Sequence, residues 1–145
     1  VVAVYPALSR LSHENTRFKK VILKSLGAVL LWSVPASIGV AIFAGIIPII
    51  FGGNYREGIP ILRVLIFFVP FASLSALLYK VLIVINKQNL YLLVSIVGVA
   101  INIALNLILI PRMLIMGAAV AAVATQAILF VTYFLLIKRY VYPAR

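Results

Sequence analysis

The chain has 145 residues, 66% of them hydrophobic and only 10% charged, with a mean hydropathy of +1.24. A water-soluble domain carries about 25% charged residues to wet its surface, so this composition excludes a soluble globule and points to a membrane protein. Its 13 Lys and Arg outnumber two acids, Glu14 and Glu57, for a net charge of +11, but they cluster at the ends of apolar runs rather than along one contiguous face, which argues against a nucleic-acid partner.

The chain opens at Val1 without a methionine and with no signal-peptide pattern, so a fragment of a longer protein is expected. A helix needs about 20 apolar residues to cross about 30 Å of hydrocarbon, and four such segments follow. The first covers residues 18–44. It is entered through the basic lead "RFKKVILK", carries Pro35, which is expected to bend it, and is broken by Gly45, Pro48, Gly52 and Gly53. The second, residues 60–86, begins at Pro60, a residue suited to a first helical turn, contains Pro70 and ends at "NKQN". The third, residues 90–110, stops at Pro111, and the fourth covers residues 116–138. Short polar turns are expected to join them into an antiparallel bundle. The fold class is therefore all-α, a multi-pass transmembrane bundle forming a single membrane domain over residues 1–145.

Orientation follows from the basic residues. Arg10, Arg17, Lys19, Lys20, Lys24, Lys87, Lys138, Arg139 and Arg145, with Lys80 close by, fall on one side. Arg56, Arg63 and Arg112 fall on the other. Positively charged loops stay inside, so both termini are expected to be cytoplasmic. Tyr55, Tyr79, Tyr91, Tyr140 and Tyr142 lie near the expected edges, where amphipathic rings favour the headgroup layer.

Polar and small residues recur at helical spacing inside the spans. Ser95, Gly98, Asn102 and Asn106 share one face of the third, and Gly117, Ala121 and Thr125 form a stripe on the fourth that permits close packing. Ser33, Ser37 and Ala41 make a similar stripe on the first, and Ala72 or Ser73 with Ala76 and Lys80 on the second. Each helix thus pairs one small or polar face with one of Leu, Ile, Val and Phe. Such a bundle either surrounds something or packs on something.

Five runs then occur together in order: "VYPALSRL" (Val4 to Leu11), "FGGNYREGIPILRVL" (Phe51 to Leu65), "NKQN" (Asn86 to Asn89), "NIALNLILIP" (Asn102 to Pro111) and "GAAVAAVATQ" (Gly117 to Gln126). Together they resemble the carboxy-terminal part of polysaccharide-biosynthesis membrane proteins, the Wzx-type oligosaccharide flippases of the multidrug/oligosaccharidyl-lipid/polysaccharide exporter superfamily, with its MATE-like fold. One departure stands out. The family commonly carries an aromatic residue and a glycine where this chain has Met113 and Leu114, so the turn there is expected to wind differently.

The resemblance implies a transporter of two pseudo-symmetric helical lobes around a central cavity. It would flip undecaprenyl-pyrophosphate-linked glycan across the cytoplasmic membrane of a bacterium or archaeon by alternating access. Val1 to Leu11 would be the tail of a preceding helix, the four spans part of the second lobe, and the first lobe a missing partner. Two alternatives stay open: a multidrug or peptidoglycan-precursor exporter of the same fold, and a non-transporting four-helix membrane scaffold.

Arg63 and Lys80 are the charges nearest the bilayer interior and are candidates for a lipid pyrophosphate, although both can equally snorkel to the interface. Asn102, Asn106 and Gln126 are candidates for sugar hydroxyls, or for hydrogen bonds to neighbouring helices. No catalytic residue is expected, since the chain has no Asp, its two Glu lie outside the spans, and its single His13 reads as a solvated loop residue. With no cysteine and no converging ligands, neither a metal nor a cofactor is expected. Any ion coupling must reside elsewhere, because these spans hold no carboxylate.

Overall fold

A computed structural model describes residues 15–44 and 58–142. The expected tail of a preceding helix, the break from Gly45 to Gly53, the Tyr55–Arg56–Glu57 segment and His13 with Glu14 lie outside the described residues. Those described form five helices: α1 (Asn15–Phe43), α2 (Gly58–Leu65), α3 (Phe68–Val84), α4 (Gln88–Met113) and α5 (Ile115–Val141). Four stretches, Arg17–Phe43, Gly58–Val84, Gln88–Met113 and Ile115–Val141, are long and apolar enough to cross a membrane. The chain is a multi-pass membrane protein.

The second span is not one helix but two. Pro70 has no N–H to donate to the Ile66 carbonyl four residues back, and its ring crowds that oxygen. The Ile66 carbonyl instead accepts from the Val69 N–H at 3.3 Å, while the Phe67 N–H donates to the Val64 carbonyl at 3.1 Å. Both are three-residue bonds, so the ladder slips at Ile66 and Phe67, and α2 ends there. Pro35, by contrast, sits inside α1 without interrupting it. Membrane helices tolerate such a loss because neighbouring helices and hydroxyl side chains satisfy the freed groups.

Two connections are tight. After α3, Asn86 adopts a left-handed φ of 57°. Its N–H donates to the Ile83 carbonyl at 3.0 Å and the Lys87 N–H to the Leu82 carbonyl at 2.8 Å, the bond pair of a Schellman cap, for which Asn is the usual substitute for Gly. Between α4 and α5 a single residue, Leu114, turns the chain. The sequence ends the third span at Pro111 and expects a polar turn. Instead α4 runs through Pro111 to Met113, and Leu114, at φ 50° and ψ −131°, donates its N–H to the Ile110 carbonyl at 2.8 Å. Losing one N–H at Pro111 does not stop a helix that is already closing.

α3 and α5 form the middle of the bundle. α1 packs on α3, α4 packs mainly on α5, and α2 also lies against α5. Phe18 and Ile22 of α1, Leu78, Val81 and Leu82 of α3, and Tyr133, Ile137 and Val141 of α5 make one buried cluster. At this same end Lys19 Nζ lies 5.1 Å above the Tyr142 ring, and Lys87 Nζ lies 5.0 Å above that of Tyr140. The start of α1, the α3–α4 turn and the end of α5 therefore meet, gathering Lys19, Lys20, Lys87, Lys138 and Arg139 at one end of the bundle. The outward faces are apolar: α4 alone exposes Leu92, Leu93, Ile96, Val99, Ile103 and Leu107. So much contiguous apolar surface suits lipid and not water.

Candidate functional site

Two polar features run through this apolar bundle. The first is a seam between α4 and α5. Asn102 Nδ2 donates to Thr125 Oγ1 at 3.1 Å, and Thr125 Oγ1 donates to the Ala121 carbonyl at 2.8 Å. Asn106 Nδ2 donates to the Asn102 carbonyl at 2.9 Å and to Asn102 Oδ1 at 3.0 Å. One level further, Ser95 Oγ and Tyr133 Oη share a hydrogen bond of 3.0 Å. Ser95 and Tyr133 stand symmetrically about Leu114, as antiparallel helices joined by that one residue require. The seam closes at Gly117, where any Cβ would collide with the Leu109 carbonyl and come within 2.9 Å of the Ile110 nitrogen. Two helix backbones touch there because one residue has no side chain.

The seam engages the two asparagines among the candidate residues. Both are half-buried, with their amide hydrogens directed within the hairpin. Gln126, next to Thr125, is half-buried but does not join these bonds. It stands one helical turn before Phe130, which contacts Phe71 of α3 at 5.9 Å between ring centroids. Arg63 is exposed in the last turn of α2, and Lys80 is half-buried on α3. The turn at Ile66 and Phe67 separates them, and neither reaches the seam.

The second feature is a groove of about 620 Å³ between α1 and α3. Lys24, Ser25, Ala28, Trp32 and Ser33 line it from α1, and Val69 and Ser73 from α3. Ala36 and Val69 also line a smaller cleft of about 220 Å³, which Ser37 and Val40 share with Leu62 and Leu65 of α2. End to end, the two follow α1 from Lys24 to Val40, about 24 Å of helix. That is most of the depth of a hydrocarbon layer about 30 Å thick.

Three kinds of chemistry sit along this path. Lys24 places an ammonium at the basic end. Ser25 and Ser73 offer hydroxyls, and Ser33 Oγ is buried with no hydrogen-bond partner among the described residues. Trp32 is 80% exposed midway along α1, whereas membrane tryptophans ordinarily sit at the headgroup level. Lys80 stands two helical turns beyond Ser73 on the same face of α3, continuing the polar wall toward the basic end.

Sequence reasoning finds the serine stripe on α1 and the Ser73 to Lys80 stripe on α3, but it assigns Lys24 to the basic lead and misses Trp32. The position of the chain's single tryptophan, mid-span rather than at an edge, was the available signal. No metal-holding group of His or carboxylates occurs among the described residues.

Comparison with known proteins gives two relatives of low identity. Over 128 residues the chain is 28% identical to a Haloferax volcanii protein described as a "Probable low-salt glycan biosynthesis flippase", covering 86% of this chain and 27% of that protein. Over 133 residues it is 27% identical to an uncharacterized membrane protein of Methanocaldococcus jannaschii, covering 88% of this chain and 26% of that one. The chain thus spans about a quarter of the length of the curated relatives it matches. No family model matches the chain, and no solved structure matches it.

Proposed function

We propose that the chain is part of a flippase, a transporter and not an enzyme, that carries a lipid-linked oligosaccharide across the cytoplasmic membrane of a bacterium or archaeon for cell-surface polysaccharide assembly. The groove along α1 carries this reading: an ammonium at its basic end, hydroxyls along its wall and an exposed indole at mid-depth. The similarity to a flippase of glycan biosynthesis supports it.

Each part of the groove suits one part of such a substrate. Lys24, with Lys80 on the adjoining face, supplies positive charge for a pyrophosphate leaving the headgroup layer. Ser25 and Ser73 exchange hydrogen bonds with sugar hydroxyls, and Trp32 offers its face to a pyranose ring. The apolar flanks of α1 stay in contact with the polyprenyl chain. The basic end faces the cytoplasm by the positive-inside rule. The groove is one wall, and a first lobe of the same MATE-like, Wzx-type architecture supplies the other. Rocking of the two lobes opens the path to each side in turn.

The test is complementation of a strain lacking the native flippase, reading surface glycan by lectin binding and membrane abundance by immunoblot. Lys24→Gln and Trp32→Leu are expected to cut export at least about tenfold with the protein still in the membrane, a loss of about 1.4 kcal/mol or more in transition-state stabilisation. Unchanged export in both variants would remove the groove from the transport path and favour a scaffold role.

A further inference from the structure

A second groove flanks α1 on its other side and shares no residue with the first. It lies between α1 and α5, holds about 350 Å³, and is walled by Leu23, Leu26 and Phe134, with Lys138 and Tyr142 at its basic end. Lys19 stands over the Tyr142 ring, whose hydroxyl donates to the Lys19 carbonyl at 3.3 Å. Burial pushes the Tyr142 phenol up from its ordinary value, so the hydroxyl stays protonated for that bond. The ring thereby holds the Lys19 ammonium at the rim.

We infer that this groove binds an acidic bilayer lipid, with one hydrocarbon chain in the slot between Leu23, Leu26 and Phe134 and the phosphate between Lys138 and Lys19. Charge complementarity selects this occupant. Bilayer lipid is at hand along the whole slot, and Lys138 with Lys19 over the Tyr142 ring places positive charge at its mouth. Basic pockets between membrane helices on the cytoplasmic side are suited to anionic headgroups. The site is separate from the proposed transport path, so it stands whether or not Lys24 and Trp32 take part in export.

The experiment is native mass spectrometry of the full-length membrane protein, released from micelles doped with dioleoyl phosphatidylglycerol or, at the same mole fraction, dioleoyl phosphatidylcholine. The wild type should retain phosphatidylglycerol preferentially. Lys138→Gln should weaken that retention about fivefold, the effect of one lost basic charge near a membrane surface. Leu23→Trp fills the slot from an exposed position, leaves every charge in place, and should weaken retention as well. Arg112→Gln, the same charge loss at the opposite end, should leave it unchanged. Equal losses in Lys138→Gln and Arg112→Gln would mean diffuse charge attraction and overturn the site. So would full retention in Leu23→Trp, which would mean that the slot is covered by another segment of the protein or holds no lipid chain. Helix content by circular dichroism checks that each variant is folded.

Discussion

Replacing Leu114 with glycine should stabilise this protein. Leu114 is the one-residue link between α4 and α5, and its φ of 50° with ψ of −131° lies in a region that suits glycine far better than a residue with a Cβ. Holding a leucine there costs about 1 to 3 kcal/mol. The side chain recovers little of that cost, being 73% exposed. Glycine adds freedom to the unfolded chain, which costs about 0.4 to 1 kcal/mol. The balance is a gain of about 1 kcal/mol. Leu114→Ala is the internal control: it removes the same exposed surface but keeps the Cβ, so its stability should stay within about 0.5 kcal/mol of the parent. The measurement is reversible unfolding in mixed micelles titrated with sodium dodecyl sulfate, followed by helical circular dichroism. A Leu114→Gly variant that unfolds earlier than Leu114→Ala would refute the reasoning, because it would show that the turn is not held against its backbone preference.

Further tests concern the hairpin and its neighbours. Gly117→Ala should cost about 2 to 3 kcal/mol in the same titration, because the added methyl meets rigid backbone at Leu109 and Ile110. Gly98→Ala, where the methyl meets only the end of the Leu129 side chain, should cost about half as much, and the reverse order would be inconsistent with the described hairpin register. Thr125→Val removes the partner of Asn102 while keeping shape. It should destabilise by about 0.6 to 1.7 kcal/mol, with a double-mutant cycle against Asn102→Leu showing coupling of that size. Asn86→Val should cost about 1 to 2 kcal/mol, since a β-branched residue resists the left-handed cap of α3, whereas Asn86→Gly should be close to neutral.

The spans were legible because uncharged runs of the right length carry their own message in a bilayer. The Asn102 and Gly117 stripes were legible because helical spacing fixes which residues share a face. What the sequence misjudged were the prolines. Pro70 acts four residues upstream, at Ile66, so a segment read as one helix is two; Pro111 sits where the helix was about to end and costs it one bond, so α4 continues to Met113. The partner of each stripe was not legible, because register between helices depends on the Leu114 turn and on how closely Gly117 lets two backbones approach. The α1–α3 groove was hidden for a similar reason. Lys24 and Trp32 become neighbours of Ser73 only once α1 is laid against a helix that begins beyond the intervening α2.

The pairing of Lys19 with Tyr142 also bears on how the protein is made. The bond from the Tyr142 hydroxyl to the Lys19 carbonyl closes a chain separation of 123 residues, so it cannot form until α5 has left the ribosome. α1 packs on α3, which belongs to the next span, and α3 packs on α5, two spans further on. During synthesis α1 must therefore wait in the bilayer with its buried face unsheathed, first for α3 and then for α5. Truncation upstream of Lys138 would leave that wait without an end, and such products should be preferred targets of membrane quality-control proteases.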